Sequence, residues 1–299
     1  MKIAGVQMDV SLMDKEGNLS RIIEKIKETA AAGASLTVFP ECALTGYCFA
    51  SLEEALPYAE SIPGPSTNRL QEICRELNHS VVVGMLEQAE QGMYNAAVLI
   101  TPEGVLGSYR KIHLPYLGVD RFATPGDRDF AVYSHPEANI GLNICYDSAF
   151  PESSRIMTIE GADLIVLPTN WPTGANHVAE HAINTRSMEN GIYYCAINRI
   201  GSERGFEFIG KSRITGTAGE TIATSTGTDP EILYAIIDPA LARNKRAWST
   251  ERGAVMRLAR NKRVDRVPDK HVIHRLADRR PELYGKITEP HGLQPPNRD

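Results

Sequence analysis

The chain has 299 residues, enough for one large domain or two ordinary ones around a sizeable buried core, which excludes a disulfide-stapled miniprotein. Its 42% hydrophobic and 23% charged residues exclude disorder, collagen and low complexity as whole-chain readings. Thirty-two Lys and Arg against 37 Asp and Glu leave a net charge of −5, so nucleic acid and anionic membranes are not expected partners unless the charge is unevenly placed.

The first ten residues, MKIAGVQMDV, reach Gln7 and Asp9 before an apolar signal region could form. No later run approaches the roughly 18 apolar residues of a membrane span. A soluble cytoplasmic protein is expected. The apolar run KIAGVQMD at 2–9 has strand length, and RIIEKIKETAAA places Ile22, Ile23, Ile26 and Ala30 on one face of a helix. The segment GASLTVFPECALTG at 33–46 follows, then SVVVGM at 80–85 and VLITPEG at 98–104. The same series then recurs. NIGLNICYD at 139–147 is another strand, SSRIMTIE a shorter helix, and GADLIVLPTNWPTG at 161–174 matches 33–46 in Gly-Ala-x-Leu-x-Val-x-Pro and the closing Gly. YYCAIN at 193–198 and SRITGTAG at 212–219 parallel the later strands of the first half. Two related halves, each starting as a βαβ unit, predict an α/β fold in which sheet packs on sheet with helices outside, a four-layer α-β-β-α sandwich. A doubly wound nucleotide-binding fold lacks its Gly-rich phosphate motif here.

The five cysteines (Cys42, Cys48, Cys74, Cys145, Cys195) are odd in number and lack C-x-x-C spacing, which favours neither a disulfide framework nor a zinc ribbon. Cys145 ends the apolar run Ile140–Ile144 and precedes Pro151, a strand-to-helix elbow that would project a nucleophile and face it with backbone N–H groups. Glu41 follows Phe39-Pro40 at the end of the strand in the other half, where partial desolvation among Phe39, Leu44 and Tyr47 would suit a general base. Lys111, in SYRKIHLP, would favour a thiolate and stabilise an oxyanion. Taken singly, each also fits a plainer role: a small buried hydrophobe, a solvated loop glutamate, a surface lysine.

Together, Phe39-Pro40-Glu41, Tyr109-Arg110-Lys111-Ile112-His113-Leu114 and Asn143-Ile144-Cys145-Tyr146-Asp147 with Phe150-Pro151-Glu152 resemble, in order and spacing, the three catalytic blocks of the nitrilase superfamily of carbon–nitrogen hydrolases. The resemblance runs from Lys2 to about Asp238, through Gln7, Gly84, Tyr94-Asn95, Thr124–Asp127, Leu167–Pro172 and Arg186–Gly191, and resumes at Arg279–Tyr284. It implies an αββα sandwich, a Glu41-Lys111-Cys145 triad of base, oxyanion stabiliser and nucleophile, no cofactor and no metal, and dimers or larger homo-oligomers. Tyr47, Tyr146, Asn170, Trp171 and Asp120 are the substrate-binding candidates. Asp120 stands about one position from where many relatives carry a second glutamate, and Ala149 replaces an Arg with which many amidase and carbamoylase relatives grip a carboxylate. The expected reaction is hydrolysis of a small aliphatic or ω-amide to carboxylate and ammonia through a thioester. N-carbamoyl amine or nitrile hydrolysis on the same triad is the alternative, and a non-catalytic binding module is an alternative of another class.

A zinc peptidase is the further alternative, from His177-Val178-Ala179-Glu180-His181, an H-x-x-E-H pattern with Glu251 as a conceivable third ligand. Against it, the helix is expected to present Val178, Ala182, Thr185 and Met188 as an ordinary packing stripe. Residues 1–240 are read as the hydrolase domain and 241–299 as an extension. Within the latter, 243–280 holds 13 Lys and Arg against 4 Asp and Glu, +9 against −14 for the rest of the chain. With Trp248 as its lone aromatic in that segment, it suits a contact with another subunit, through apolar residues such as Val264, Val267 and Leu276, better than a nucleic-acid arm.

Overall fold

In the computed structural model of the protein, the backbone is described for residues 1–250, 255–257 and 270–289, and side chains for 1–245 and 274–289. The chain divides into two compact units, Met1–Arg243 and Asn244–Asp299. The first half of the first unit runs β1 (Lys2–Gln7), α1 (Lys15–Ala31), β2 (Leu36–Val38), α2 (Leu52–Ala55), α3 (Pro65–Leu77), β3 (Ser80–Ala89), β4 (Gly92–Thr101) and β5 (Gly104–Arg110). Its second half runs β6 (Val132–Ser134), β7 (Asn139–Leu142), α4 (Pro151–Ile159), β8 (Leu164–Thr169), α5 (Ile183–Asn190), β9 (Tyr193–Asn198), the small hairpin β10 (Ser202–Glu203) and β11 (Phe206–Glu207), β12 (Arg213–Thr215), β13 (Thr221–Thr224), β14 (Glu231–Ile236) and α6 (Pro239–Arg243).

The duplication read from 33–46 and 161–174 is also a duplication of topology. One sheet has the order β14-β1-β2-β3-β4-β5 and the other β13-β12-β9-β8-β7-β6. In the first, β1, β2 and β3 pair in parallel and β4 and β5 add antiparallel; in the second, β7, β8 and β9 pair in parallel and β12 and β13 add antiparallel. The remaining edge is exchanged: β6, after the first half, pairs antiparallel with β7, while β14, after the second, pairs with β1.

Both faces of each sheet are covered, so the strands read as continuous apolar runs whose alternation sorts side chains between layers. Val81 and Val83 of β3 join Leu19, Ile22 and Ile26 of α1 and Leu70 of α3 on the helix side. Val82 between them turns to the other sheet, in one cluster with Leu36, Val38, Leu164 and Val166. The sheets approach closely at Gly5, where a Cβ would stand 2.0 Å from Cδ1 of Ile197. Together these layers form the expected α-β-β-α sandwich.

Local chemistry sets the helix ends. The Asp14 carboxylate accepts the Gly17 N–H at 3.0 Å to start α1, and Pro65 and Pro151 open α3 and α4, where a missing N–H costs nothing. Two readings need correction. The runs at 2–9 and 139–147 leave the sheet at Gln7 and Leu142. The face buried by α5 and the wider π turn Val178–Ala182 before it carries Ala179, Ile183, Ser187 and Asn190, whereas Thr185 and Met188 are exposed. Ser187 pairs with the Thr215 hydroxyl and Asn190 donates from Nδ2 to the Arg186 carbonyl at 2.9 Å, so polar residues hold the buried row and hydropathy pointed to the wrong one.

The second unit has a three-stranded antiparallel sheet, β16 (Val255–Arg257), β15 (Arg246–Thr250) and β17 (Lys270–His274), in the order β16-β15-β17. Glu251, Val264 and Val267 lie outside the described residues. Among those described, no helix is long and apolar enough to cross a membrane.

Under the first sheet, His79 Nε2 pairs with the Thr37 hydroxyl at 2.7 Å and Nδ1 with the Ala34 carbonyl at 2.9 Å. Burial pushes this imidazole below its ordinary value of 6.5, against the opposing effect of the Ala34 bond, and His135 is lowered likewise by burial. A lowered histidine gives stability that is full above its unfolded value and lost as pH falls below it. Melting temperature is therefore expected to fall as pH drops from 7 to 5. In His79→Gln the slope should be shallower; an unchanged slope would contradict this account.

Candidate active site

The ends of β2, β5, β7 and β8 bring the sequence candidates together. Glu41 leaves β2 after Phe39 and Pro40 and is 1% exposed, no solvated loop residue. Its Oε1 accepts hydrogen bonds from Lys111 Nζ at 2.7 Å and Asn95 Nδ2 at 2.7 Å, while Oε2 is buried with no hydrogen-bond partner. Lys111 directly follows β5, is fully buried, and donates also to Asp120 Oδ2 at 2.5 Å. Asp120 is held further by Asn95 Nδ2 at 2.9 Å and by the Tyr47 hydroxyl at 2.8 Å. Two carboxylates and one ammonium are thus closed off from water together.

Their titration follows from that crowding. Burial drives the Glu41 carboxyl above its ordinary value of 4.5; Lys111 opposes this and the negative Asp120 reinforces it. Burial works to discharge Lys111, but Asp120 and Glu41 outweigh it and hold the ammonium well above its usual range.

Cys145 lies at the elbow after β7 in the left-handed region, with φ of 45°. For a non-glycine residue this costs about 1–3 kcal/mol, offset by surrounding bonds. Most come from Asp147, fully buried, whose Oδ2 accepts the Ile144 N–H at 2.9 Å and the Tyr109 hydroxyl at 2.9 Å. Its Oδ1 accepts from the His113 backbone at 3.1 Å and pairs with His113 Nδ1 at 2.8 Å. One carboxylate therefore ties the elbow to the segment on either side of Lys111. Burial and the charge of Glu41 push the Cys145 thiol up to about 12, partly countered by Lys111, the Thr169 hydroxyl and the Asn170 N–H. The thiol is protonated at neutral pH and needs a base to become a nucleophile.

Thr169 and Asn170 occupy, in the second half, the places of Glu41 and Cys42 in the first. Thr169 Oγ1 and both amide atoms of Asn170 are buried without hydrogen-bond partners, as is Glu41 Oε2. Buried polar atoms are ordinarily paired, and Glu41, Thr169 and the Asn170 backbone all act on the Cys145 thiol, which leaves these side chains free to face a ligand there. Trp171 belongs to the core between the layers, its backbone N–H donating to Asn198 Oδ1 at 2.8 Å. Tyr146 is 42% exposed, edge-on to Phe150 at 5.2 Å.

Sequence reasoning did not assign roles to Asn95 and Asp147. Asn95 carried a signal, a lone amide within the apolar strand MYNAAVLI; Asp147 carried only its place beside Cys145. In the H-x-x-E-H segment, His177 and His181 are exposed and Glu180 pairs with Lys211 at 2.5 Å. No group of three or more His, Cys, Asp and Glu among the described residues is arranged to hold a metal ion.

A model of the carbon-nitrogen hydrolase family matches residues 2–247. The chain belongs to this family. A nitrilase from Pyrococcus abyssi is 38% identical to this carbon-nitrogen hydrolase over 247 residues, covering 82% of the chain and 93% of the relative. An omega-amidase from Homo sapiens is 31% identical over 250 residues, 79% of the chain and 88% of the relative. The solved amidase from Nesterenkonia sp. superposes with a TM-score of 0.70 at 26% identity, over 82% of this chain and 92% of that one. Other structures of that amidase hold acrylamide, or show covalent addition of the acetamide moiety of fluoroacetamide at the active site cysteine. The protein is accordingly a carbon-nitrogen hydrolase that acts on amides.

The backbone at Glu41 rests on β3. A Cβ on Gly84 would lie 2.5 Å from the Cys42 nitrogen and the Pro40 oxygen and 2.7 Å from Glu41 Cα, all backbone atoms that cannot swing away. Gly84→Ala should move Glu41 and lower kcat/KM for amide hydrolysis by about 100-fold while circular dichroism stays native. Activity within about two-fold of wild type would show that the Glu41 backbone position is not critical.

Proposed function

We propose that the protein is a thiol-dependent amidase in which Glu41 is the base, Lys111 the oxyanion stabiliser and Cys145 the nucleophile. The observation that carries this reading is the unpartnered, buried Glu41 Oε2, on a carboxyl of raised pKa whose charge acts directly on the Cys145 thiol. Glu41 takes the Sγ proton as sulfur attacks the amide carbon, and the carbonyl electron pair moves onto oxygen. Two of the three Lys111 ammonium hydrogens are engaged by Glu41 and Asp120, leaving one for that oxyanion, with the Tyr146 N–H as second donor. The tetrahedral species collapses: the C–N bond breaks, nitrogen takes the proton from Glu41, and ammonia leaves a thioester on Cys145. Water then gives a proton to Glu41 and attacks the thioester; the C–S bond breaks, the thiol regains the proton and the carboxylic acid departs.

We favour a small aliphatic or ω-amide as substrate. The omega-amidase relatives and the small amides of the Nesterenkonia amidase support it. Tyr47 and Asp120 in this scheme fix Lys111, whereas Thr169 and Asn170 border the thiol.

Ammonia release should be compared for a short aliphatic amide, an ω-amide acid, an N-carbamoyl amine and a nitrile. The amides should turn over fastest, with a single-turnover acyl adduct on the Cys145 peptide, and Cys145→Ala should fall at least about 1,000-fold. Faster turnover of the carbamoyl compound, with carbon dioxide released beside ammonia, would overturn the substrate choice. An adduct only on another cysteine, with Cys145→Ala fully active, would overturn the nucleophile.

A further inference from the structure

Two strand ends act on the Cys145 sulfur, one from each half of the chain, and they bring different chemistry. Where the first half has Glu41, the second has Thr169. Thr169 closes β8, whose parallel pairing with β7 sets this strand end beside the elbow; the Asn143 N–H, two residues before Cys145, donates to the Val166 carbonyl at 3.0 Å. From the other side β9 fixes the same end. Asn198, opposite Thr169 in register and fully buried, accepts the Trp171 backbone N–H at 2.8 Å and donates from Nδ2 to the Gly210 carbonyl at 2.7 Å. The Thr169 hydroxyl is thus carried on backbone held by both neighbouring strands.

That hydroxyl is buried and has no aligned hydrogen-bond partner among the described residues. Yet it acts on the Cys145 sulfur, as the Asn170 N–H does, and both favour the ionised form. Leaving a buried hydroxyl unpaired is unfavourable, and the arrangement fits a donor whose acceptor appears only during the reaction. The acceptor at hand is sulfur, which becomes negative when its proton passes to Glu41. A second carboxylate at this place would oppose that charge, as Glu41 itself does, whereas a neutral hydroxyl offers an O–H to a thiolate.

We propose that the Thr169 hydroxyl is a further catalytic group, donating a hydrogen bond to the Cys145 thiolate as sulfur attacks the amide carbon and again as the thioester breaks. Thr169 keeps its own proton throughout; the proton that leaves sulfur goes to Glu41. This rests on the nucleophile reading above and adds a residue which that reading does not use.

The test compares Thr169→Val, which keeps the shape and loses the hydroxyl, with Thr169→Ser, which keeps the hydroxyl and loses the methyl, in the full-length enzyme. One readout is the rate at which iodoacetamide alkylates Cys145 at pH 8, followed by mass on the Cys145 peptide; the other is kcat and KM for a short aliphatic amide. Thr169→Val should slow alkylation roughly 10-fold and lower kcat by a similar factor at nearly constant KM, while Thr169→Ser stays within about three-fold of wild type in both. Thr169→Ala, without hydroxyl or bulk, should match Thr169→Val, and Cys74 and Cys195, each buried in a core cluster, should stay unreactive in all three as a control for folding. A packing role would reverse the order and make Thr169→Ser worse than Thr169→Val. That reversal, equal losses in both, or a loss confined to KM with alkylation unchanged would overturn the assignment. An inactive Cys145→Ala beside a Thr169→Val that alkylates and turns over like wild type would defeat this assignment alone; a fully active Cys145→Ala would defeat the nucleophile reading and this assignment with it.

Discussion

A fully buried ammonium between two buried carboxylates is the constraint on which the rest of the site depends. Lys111 cannot be left alone in a medium that solvates charge poorly, and one carboxylate would neutralise it. Burial holds Glu41 above an ordinary carboxyl against the pull of Lys111, and the charge of the second carboxylate, Asp120, adds to burial. Removing one partner from a buried ion pair costs about 3–5 kcal/mol, so the set is held together as a unit. Asn95 is its crosspiece: one amide nitrogen donates to both carboxylates, while Oδ1 accepts the Cys42 thiol at 3.6 Å.

The duplicated architecture assembles this cluster from distant parts of the chain. Glu41 and Thr169 leave equivalent strands of the two sheets, and Cys145 titrates under the influence of both. A carboxyl from one half and a thiol from the other can be set against each other because the sheets pack face to face at positions such as Gly5 and Ile197. Asp147 then fixes the elbow to the Lys111 segment, and Glu203, from the second half, holds the N–H groups of Tyr47 and Cys48 at 2.9 and 2.8 Å. The buried Arg199 fixes Glu203 in turn, with Asp9 at 2.9 Å on its other side. Both carboxylates act by constraining backbone, which is how a site between two sheets keeps its geometry.

Much of this was legible in the sequence because repeats and strand lengths are local patterns. The match of 33–46 to 161–174 carried the sandwich, and the positions of Glu41 and Cys145 at strand ends followed from where apolar runs stop. Their burial was not legible: a glutamate after Pro40 reads equally as a solvated loop residue until Asn95 and Lys111 are seen to surround it. The left-handed backbone of Cys145 carried no signal either, because glycine is the residue that ordinarily announces it. The buried row of α5 was misread because it carries the polar Ser187 and Asn190, whose bonds to Thr215 and to the Arg186 carbonyl periodicity does not reveal.

The central claim is that burial, reinforced by the charge of Asp120, keeps Glu41 basic enough to serve the thiol. The direct measurement is the pH dependence of kcat/KM for a good amide substrate in wild type and in Asp120→Asn, which keeps the shape and a hydrogen-bonding side chain but removes the charge. Glu41 must be ionised to accept a proton, so activity should be lost as pH falls through its raised pKa, with the acid limb above 4.5 in wild type. Loss of the Asp120 charge should move that limb to lower pH. An acid limb at or below 4.5 in wild type, or one that Asp120→Asn leaves in place, would contradict the account.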